Sequence, residues 1–591
     1  MPHVLTLRAL RGRAPLLLSV GGGATFALTA PPTDLYPAVI VGLALLAAAV
    51  HDAPTFWRAF GRGAAWGTAA GIVGLRFVPE VILRFTPLGS AAAYLALVLL
   101  AAAQSLVWAA CAGVTNALLR RARAPLELAF AAGVLVAVAI PTVFAWTPAG
   151  LLSPWPALVQ LADLIGERGV SVVFAVGAAL LARAGLAAFG RAPGGRPLAR
   201  DAAPAPVPRT TRLRLSRAVV LPALASAALF GLLAVYGALR MAAVARASAG
   251  LPTARVALVN QAVGPHERWQ PKNHPRILRT LHELTRRAEA DGAELTIWPE
   301  AAYPYALSHS ARQAPRGGRA ILGPGVRGPV LVGLISQAPP VKGADGVEER
   351  NSYNSATLVL RDGSMQPMQD KLQLLWFGET VPGGAYLPWL RRIFQKSGGL
   401  IAGAEPRALT LPREQGPEIR VGVLNCYEDT LTGVGRWVTG ALVPNLLVNI
   451  TNDAWFTGSA EPELHARLAV MRAIELRRDL VRAVNLGVAS WVDARGVVRS
   501  RDESAAPAVI FATPAIRDTP LTLYTRLGDA PLASLIALAI AACVFRARRA
   551  TPKVSRDAGG TEPGPVARDP ELVSPDAAAQ PAAGEVPLSR P

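Results

Sequence analysis

The chain has 591 residues, of which 52% are hydrophobic and 17% charged, a composition too apolar for an ordinary soluble protein of this length and suited to a membrane protein with a soluble part. Its formal net charge of +20 does not signal nucleic-acid binding, because the arginines lie in short loops between apolar runs instead of clustering with aromatics on a folded surface. The three cysteines, Cys111, Cys426 and Cys543, supply neither a disulfide framework nor a metal cluster, since the first and last fall inside apolar runs.

From Pro15 to about Met241 seven apolar segments are long enough, or nearly so, to cross a hydrocarbon core, centred near Thr25, Leu43, Thr68, Leu99, Val134, Val176 and Ala228, and an eighth centres near Leu538. Arginine tests that count. Arg8, Arg11 and Arg13 precede the first segment, Arg58 and Arg62 separate the second from the third, and Arg120, Arg121 and Arg123 follow the fourth. A Pro- and Arg-rich stretch follows the sixth, and Arg546, Arg548 and Arg549 close the eighth, whereas the loops Ala30–Tyr36 and Trp146–Pro156 carry no Lys or Arg. Every second loop is basic, so the positive-inside rule predicts both termini in the cytoplasm and the region after the seventh segment outside it. The first segment reads as an uncleaved helix because further spans follow. Arg76, Glu80 and Arg84, at the outer end of the third segment, read as interfacial side chains that snorkel, ahead of a role in binding lipid headgroups.

From about Ala254 to Thr513 short strands such as RVALVNQ, ELTIWPE, PVLVGLIS, SATLVLRDG and NLLVNITN alternate with helical stretches such as HPRILRTLHELTRRAEA and ELHARLAVMRAIELRRD, which predicts an α/β domain of about 260 residues. The expected domains are residues 1–247 with seven transmembrane helices, 248–518 as the α/β domain, 519–550 as an eighth transmembrane helix, and 551–591 as a disordered, Pro-rich cytoplasmic tail.

Three reactive side chains stand at strand or loop ends of the α/β domain. Glu300 closes LTIWPE, Lys371 lies in MQDKLQLLWFGE, and Cys426 closes VGVLNC, where a sharp turn would lift the sulfur above the sheet edge. A carboxylate beside a thiol can take its proton and later return it to a leaving group. An ammonium nearby favours the thiolate and stabilises the oxyanion formed when sulfur attacks a carbonyl. Lys371 is one of five lysines beside 55 arginines, and a compact ammonium suits an oxyanion site. Each residue alone also has a plain structural reading, as a buried thiol, a strand-end carboxylate or a solvated charge.

The ordered set WPE, then Lys371 with Glu379 of FGE eight residues later, then NCYE, resembles the Glu-Lys-Cys triad of the carbon-nitrogen hydrolase (nitrilase) superfamily. With seven apolar segments before it and one after, the chain is similar to the membrane branch of that superfamily, the apolipoprotein N-acyltransferases, and Val448–Gly496 resembles that family across nearly its whole length. The resemblance implies a polytopic α-helical membrane domain carrying an extracytoplasmic αββα sandwich in the bacterial inner membrane. It further implies Cys426 as the acylated nucleophile, Glu300 as general base and acid, and Lys371 as the oxyanion partner. Glu379 would position Lys371 or the attacking amine, Glu428 would hold Lys371 or form a structural ion pair, and Tyr427 and Trp298 would line the pocket. The resemblance also implies that a phospholipid would donate the acyl chain and the free amine of a diacylglyceryl apolipoprotein would accept it, and the expected enzyme is a monomer with no cofactor, no metal and no nucleic-acid partner. Trp376 stands where the family has Pro before FGE, which bears on the geometry around Lys371.

A lipid-using enzyme needs apolar contacts at the membrane surface. Trp389 in the segment Tyr386–Gly399, which mixes aromatics with Arg and Lys, reads as part of an interfacial arm or a buried helix. Trp455 and Phe456 read as a hydrophobic lip or as core packing, and His465 as structural. Two other readings fit the same residues: a membrane-tethered amidase hydrolysing a small amide, and an idle module that presents lipid or lipoprotein. Acyl transfer to an amine in place of ammonia release separates the first, and loss of activity in Cys426→Ala the second.

Overall fold

A computed structural model describes residues 2–189, 216–342, 348–349, 351–381, 383, 386, 392 and 399–549. Its principal helices are α1 (Pro2–Ala27), α2 (Ala38–His51), α3 (Phe56–Gly74), α4 (Val78–Phe85), α5 (Ser90–Arg121), α6 (Leu126–Ala139), α7 (Ala162–Ala188), α8 (Arg217–Ser248), α9 (His274–Ala290), α10 (Thr432–Leu442), α11 (Glu461–Leu476) and α12 (Ala530–Arg549). Among the described residues α5, α7, α8 and α12 are long and apolar enough to cross a membrane, and a fifth span results if α3 and α4, bent by 61° between them, count as one. α2 and α6 have 14 residues each, about 21 Å of helix and short of a hydrocarbon core of about 30 Å. Prolines bound these two: Pro37 and Pro125 occupy their N-caps, and Pro141 follows the C-cap Ile140 of α6. α3 packs closely on α5 because Gly63, Gly67 and Gly71, four residues apart on one face, lie against the backbone or Cβ of Trp108, Ser105 and Ala101, where a methyl group would collide.

The region after α8 holds two six-membered strand paths. The first runs β13 (Ala508–Ala512), β1 (Val256–Asn260), β2 (Leu295–Ile297), β4 (Val330–Gln337), β5 (Ser352–Val359) and β6 (Gln369–Asp370), with β3 (Leu307–Ser308) on β4. The second runs β12 (Val498–Asp502), β11 (Ala489–Val492), β10 (Leu480–Asn485), β9 (Leu446–Asn452), β8 (Ile419–Asn425) and β7 (Leu409–Leu411). Alternation decides the layering. Val256, Leu258, Ile297 and Leu331 of the first sheet share a core with Val421, Val423, Val448 and Ile450 of the second, so the two sheets stack face to face. Val259, Val330, Val332 and Leu334 point the other way, onto Ile277, Leu281 and Leu284 of α9. On the far side Leu447 and Leu480 meet α11, whose Leu464, Leu468 and Met471 belong to one continuous core with α1, α2, α3, α6 and α7. Helix, sheet, sheet, helix is therefore the order of layers, and the last helical layer rests on the membrane helices.

Candidate active site

Parallel strands put their carboxyl ends on one edge, and the reactive residues collect there. β1, β2 and β4 run parallel, as do β8, β9 and β10. Glu300 follows β2, Lys371 follows β6 directly, and Cys426 follows β8. The backbone of Cys426 is left-handed, with φ +55°, a conformation that costs a residue bearing Cβ about 1–2 kcal/mol. Neighbours hold it there: the carboxylate of Glu428 accepts from the Asn425 N–H at 2.8 Å, and Asn449 Nδ2 donates to the Cys426 carbonyl at 2.8 Å. Residues Cys426–Thr430 then form a short 3-10 turn.

Lys371 Nζ lies 3.2 Å from Glu300 Oε1, 2.8 Å from Glu379 Oε2 and 5.5 Å from the centre of the Tyr427 ring. Burial alone would lower its pKa, but the two carboxylates outweigh it and hold the ammonium well above its ordinary value. The half-buried thiol of Cys426 is pushed the same way, by burial first and the Glu300 charge second, with Lys371 only partly offsetting them. A resting thiol that keeps its proton needs a base, and Glu300 is the carboxylate beside it. Glu300 is itself fixed: Oε1 also accepts from Asn354 Nδ2 at 2.7 Å, and Oε2 from the Asn452 N–H at 3.0 Å.

Asn354 is the residue that motif reading missed. Its amide donates to Glu300 and, at 2.9 Å, to Glu379 Oε1, while its side-chain oxygen accepts from Asn425 Nδ2 at 3.1 Å and its carbonyl from the Lys371 N–H at 2.8 Å. One buried side chain on β5 thus ties both carboxylates to the strand that ends in Cys426. No local signal in SYNSATLV marks it.

Several expected contacts take a different form. Glu428 does not hold the Lys371 ammonium; it accepts the N–H groups of Leu372 (2.6 Å) and Gln373 (2.8 Å), gripping the Lys371 loop through its backbone, and burial pushes its pKa up to about 7. Trp298 is not in the pocket wall. It follows Ile297, which faces the inter-sheet core, so it turns to the opposite side, where it is fully buried and its Nε1 donates to Thr285 of α9 at 2.9 Å. Arg84 does not snorkel: it donates to the carbonyls of Trp455 (3.0 Å) and Thr457 (3.1 Å). Trp455 stacks on Phe85 of α4 at 4.2 Å, and Phe456 meets Phe77 edge-on at 5.6 Å. Tyr427 donates to the Leu374 carbonyl at 2.9 Å and, with Trp376, lines the cavity described next. Trp389 lies outside the described residues.

An apolar cavity of about 490 Å³ separates the membrane helices from the sandwich, lined by Phe26, Gly71, Gln104 and Trp108 on one side and by Leu375, Trp376, Tyr427 and Trp437 on the other. Beside it a pocket of about 40 Å³ reaches Cys426, His465 and Phe456. The two have Phe144, Trp146, Leu375, Tyr427 and Thr430 among their common lining, so the pocket that reaches the sulfur adjoins the larger apolar space.

Asp453, Glu461 and His465 come together at metal-ligand spacing. Both ring nitrogens of His465 are already engaged, by Asp429 at 2.9 Å and Asp453 at 3.1 Å. Burial disfavours its charge, but those carboxylates prevail and raise its pKa to about 10, so at neutral pH no ring lone pair is free for a metal. The ring instead joins the Cys426–Thr430 turn to the loop bearing Trp455 and Phe456.

Comparison with known proteins covers both halves. Residues 22–180 match the family model described as apolipoprotein N-acyltransferase N-terminal domain, and residues 255–513 match the carbon-nitrogen hydrolase model. A protein of Geobacter metallireducens named apolipoprotein N-acyltransferase is 30% identical over 398 residues, 66% of this chain and 67% of that protein. Proteins of the same name from Bradyrhizobium diazoefficiens (34% identical, 43% of this chain and 45% of that protein) and Chlorobaculum tepidum (30%, 42% and 48%) align over less than half of either length.

Proposed function

This chain belongs to the apolipoprotein N-acyltransferase family, and we propose that Cys426, Glu300 and Lys371 carry its acyl transfer by a two-step, ping-pong route. The enzyme is a membrane-bound acyltransferase of lipoprotein maturation, with a phospholipid as donor and an apolipoprotein as acceptor. In the first step Glu300 takes the thiol proton, the Cys426 sulfur attacks an ester carbonyl of the phospholipid, and Lys371 carries the charge that develops on the carbonyl oxygen. Collapse expels the lysophospholipid, whose oxygen receives the proton from Glu300, and leaves a thioester. In the second step the free α-amine of the diacylglyceryl-cysteine attacks that thioester, Glu300 takes the amine proton and returns it to the departing sulfur, and an amide results. Glu379 and Asn354 hold Lys371 and Glu300 in register, and Tyr427, Trp376, Phe456 and Trp455 shape the approach of the lipid.

The observation that carries this reading is the place of the triad: Lys371 sits between Glu300 and Glu379, and the pocket that reaches Cys426 adjoins an apolar cavity lined on one side by the apolar helices. Exclusion of water from such a space favours an amine over water as the second nucleophile. The alternation of basic and neutral loops supports a cytoplasmic location for both termini and an extracytoplasmic sandwich in the inner membrane, with the apolar end of α1 (Ala14–Ala27), α2, α6 and the α3–α4 pair completing the spans. The test incubates purified protein with phospholipid alone and weighs the Cys426 peptide. A hydroxylamine-sensitive acyl adduct is expected in the wild type and absent in Cys426→Ala and Glu300→Gln. A folded wild type that gains no adduct and releases ammonia from small amides would overturn the proposal.

A further inference from the structure

The loop 261–270, between β1 and α9, buries a cation that no carboxylate touches. Arg268 is 7% exposed, and among the described residues its guanidinium makes one hydrogen bond, a long one of 3.3 Å from Nη2 to the Tyr303 carbonyl. Its Nε–H is buried and has no partner. Two other buried arginines of the sandwich have a carboxylate, Arg477 with Asp163 at 2.9 Å and Arg482 with Asp429 at 3.0 Å, and a third, Arg478, is held by the Pro444 and Thr519 carbonyls at 2.6 and 2.7 Å. A buried guanidinium left with one weak acceptor forfeits its hydration for almost nothing in return, which is costly unless something else supplies the missing charge.

The surroundings say where that charge would come from. The carbonyl that Arg268 reaches belongs to Tyr303, three residues past the proposed catalytic base Glu300, whose charge acts on the guanidinium, and that guanidinium packs 5.1 Å from the ring centre of Trp269, which is 64% exposed. His266 of the same loop packs at 5.2 Å on Phe85, at the end of α4, and Phe85 also stacks on Trp455. The loop therefore lies where the bent α3–α4 apolar pair meets the sandwich. Of the two substrates in the reading above, the acceptor brings an amine to the site and the donor brings a phosphodiester a few bonds from the ester that reacts. A guanidinium fork matches phosphate oxygens in pairs.

We propose that Arg268 is the anion subsite that binds the phosphodiester of the phospholipid donor and so sets the scissile ester beside Cys426 and Glu300. The inference rests on the acyl-transfer reading. In the free protein the unused guanidinium donors await the phosphate; on binding, the buried cation gains its counter-charge and the donor gains a fixed register.

The test uses the full chain in detergent and follows Cys426 thioacylation by mass spectrometry with two donors of equal chain length, a phosphatidylethanolamine and a p-nitrophenyl ester that carries no phosphate. Arg268→Gln should slow the phospholipid reaction by about ten-fold or more, the worth of a charge-assisted hydrogen bond, and the ester reaction by much less. Arg268→Lys, which keeps the charge and guards against a variant that fails to fold, should give an intermediate ratio of the two rates. Equal losses with both donors, or a rate ratio in Arg268→Lys identical to wild type, would show that Arg268 acts on Glu300 or on the fold and overturn the subsite. A wild type that forms no adduct with either donor overturns the acyl-transfer reading, and the subsite with it. A wild type that reacts while the variants respond alike to both donors overturns the subsite alone.

Discussion

Asn354 gives the sharpest test of how the site is held. Its side-chain amide donates to Glu300 at 2.7 Å in buried surroundings and to Glu379 at 2.9 Å in part-buried ones, and Asn354→Ala removes the pair together. A hydrogen bond to a charged group contributes about 1.5–3 kcal/mol, and two that share one donor group fall short of their sum, so the loss should be about 2–4 kcal/mol. If that positioning is expressed in the transition state, Cys426 thioacylation slows by roughly 30- to 1000-fold. Asn354→Asp should be at least as slow at neutral pH, because it sets a third carboxylate against Glu300 and Glu379. The two neighbours push the pKa of the new carboxyl up, so this variant alone should regain rate as pH falls and the carboxyl becomes a donor again. The assay is single-turnover thioacylation by phospholipid, with the melting temperature of each variant as a control on folding. A folded Asn354→Ala enzyme within about three-fold of wild type, less than one such bond is worth, would refute the view that Asn354 aligns the two carboxylates.

Two further outcomes follow from protonation. Burial and Glu300 raise the Cys426 pKa well above that of an ordinary thiol, so iodoacetamide should alkylate lipid-free enzyme slowly at neutral pH, with a rate still rising beyond the ordinary thiol range; a plateau reached near neutrality would contradict the assignment. His465 has a folded pKa of about 10 against an ordinary 6.5, so the stability it brings is complete below about pH 6.5 and drains away as pH rises toward 10. The melting temperature of the wild type should therefore fall across that window more steeply than that of His465→Gln, and parallel curves would mean that the Asp429–His465–Asp453 bridge carries no net charge.

Period-two alternation made the strands legible, because RVALVNQ, PVLVGLIS and NLLVNITN each bury one face against the other sheet and the next against a helix. The same alternation shows why Trp298 misled: one residue beyond Ile297 reverses the side, and a motif adjacent to Glu300 says nothing about direction. Hydropathy located the apolar helices but not their lengths, which prolines at the ends of α2 and α6 cut to 14 residues. Contacts formed across the fold left no trace in local sequence. Asn354 reaches partners 54 and 71 positions away, and Arg84 grips carbonyls some 370 positions on, so neither role could be inferred from spacing.

The docking of the two halves explains why a nitrilase-like site can serve a lipid at all. α7 presents Asp163 and Glu167 to the sandwich, and Arg477 meets Asp163 at 2.9 Å while the fully buried Arg472 pairs with Glu167 and, at 3.1 Å, with Glu475 of its own helix. Arg240 of α8 reaches the same Asp163 at 2.7 Å. Buried pairs of this kind add little net stability, since desolvation consumes most of the attraction, yet removing one partner costs about 3–5 kcal/mol, so they penalise every arrangement but one. Arg84 adds a clamp on the Trp455 loop. The consequence is geometric. An acyl chain leaving the bilayer loses about 0.8 kcal/mol for each CH₂ exposed, so the sulfur must come to the chain. Ion pairs that lock α11 and the residue after it onto α7 hold the pocket of Cys426 next to the apolar cavity, so in the proposed reaction the chain would stay in apolar surroundings while its ester meets the sulfur. A sandwich hung on one flexible helix would hold neither the register nor the dry wall that lets a thioester wait for an amine.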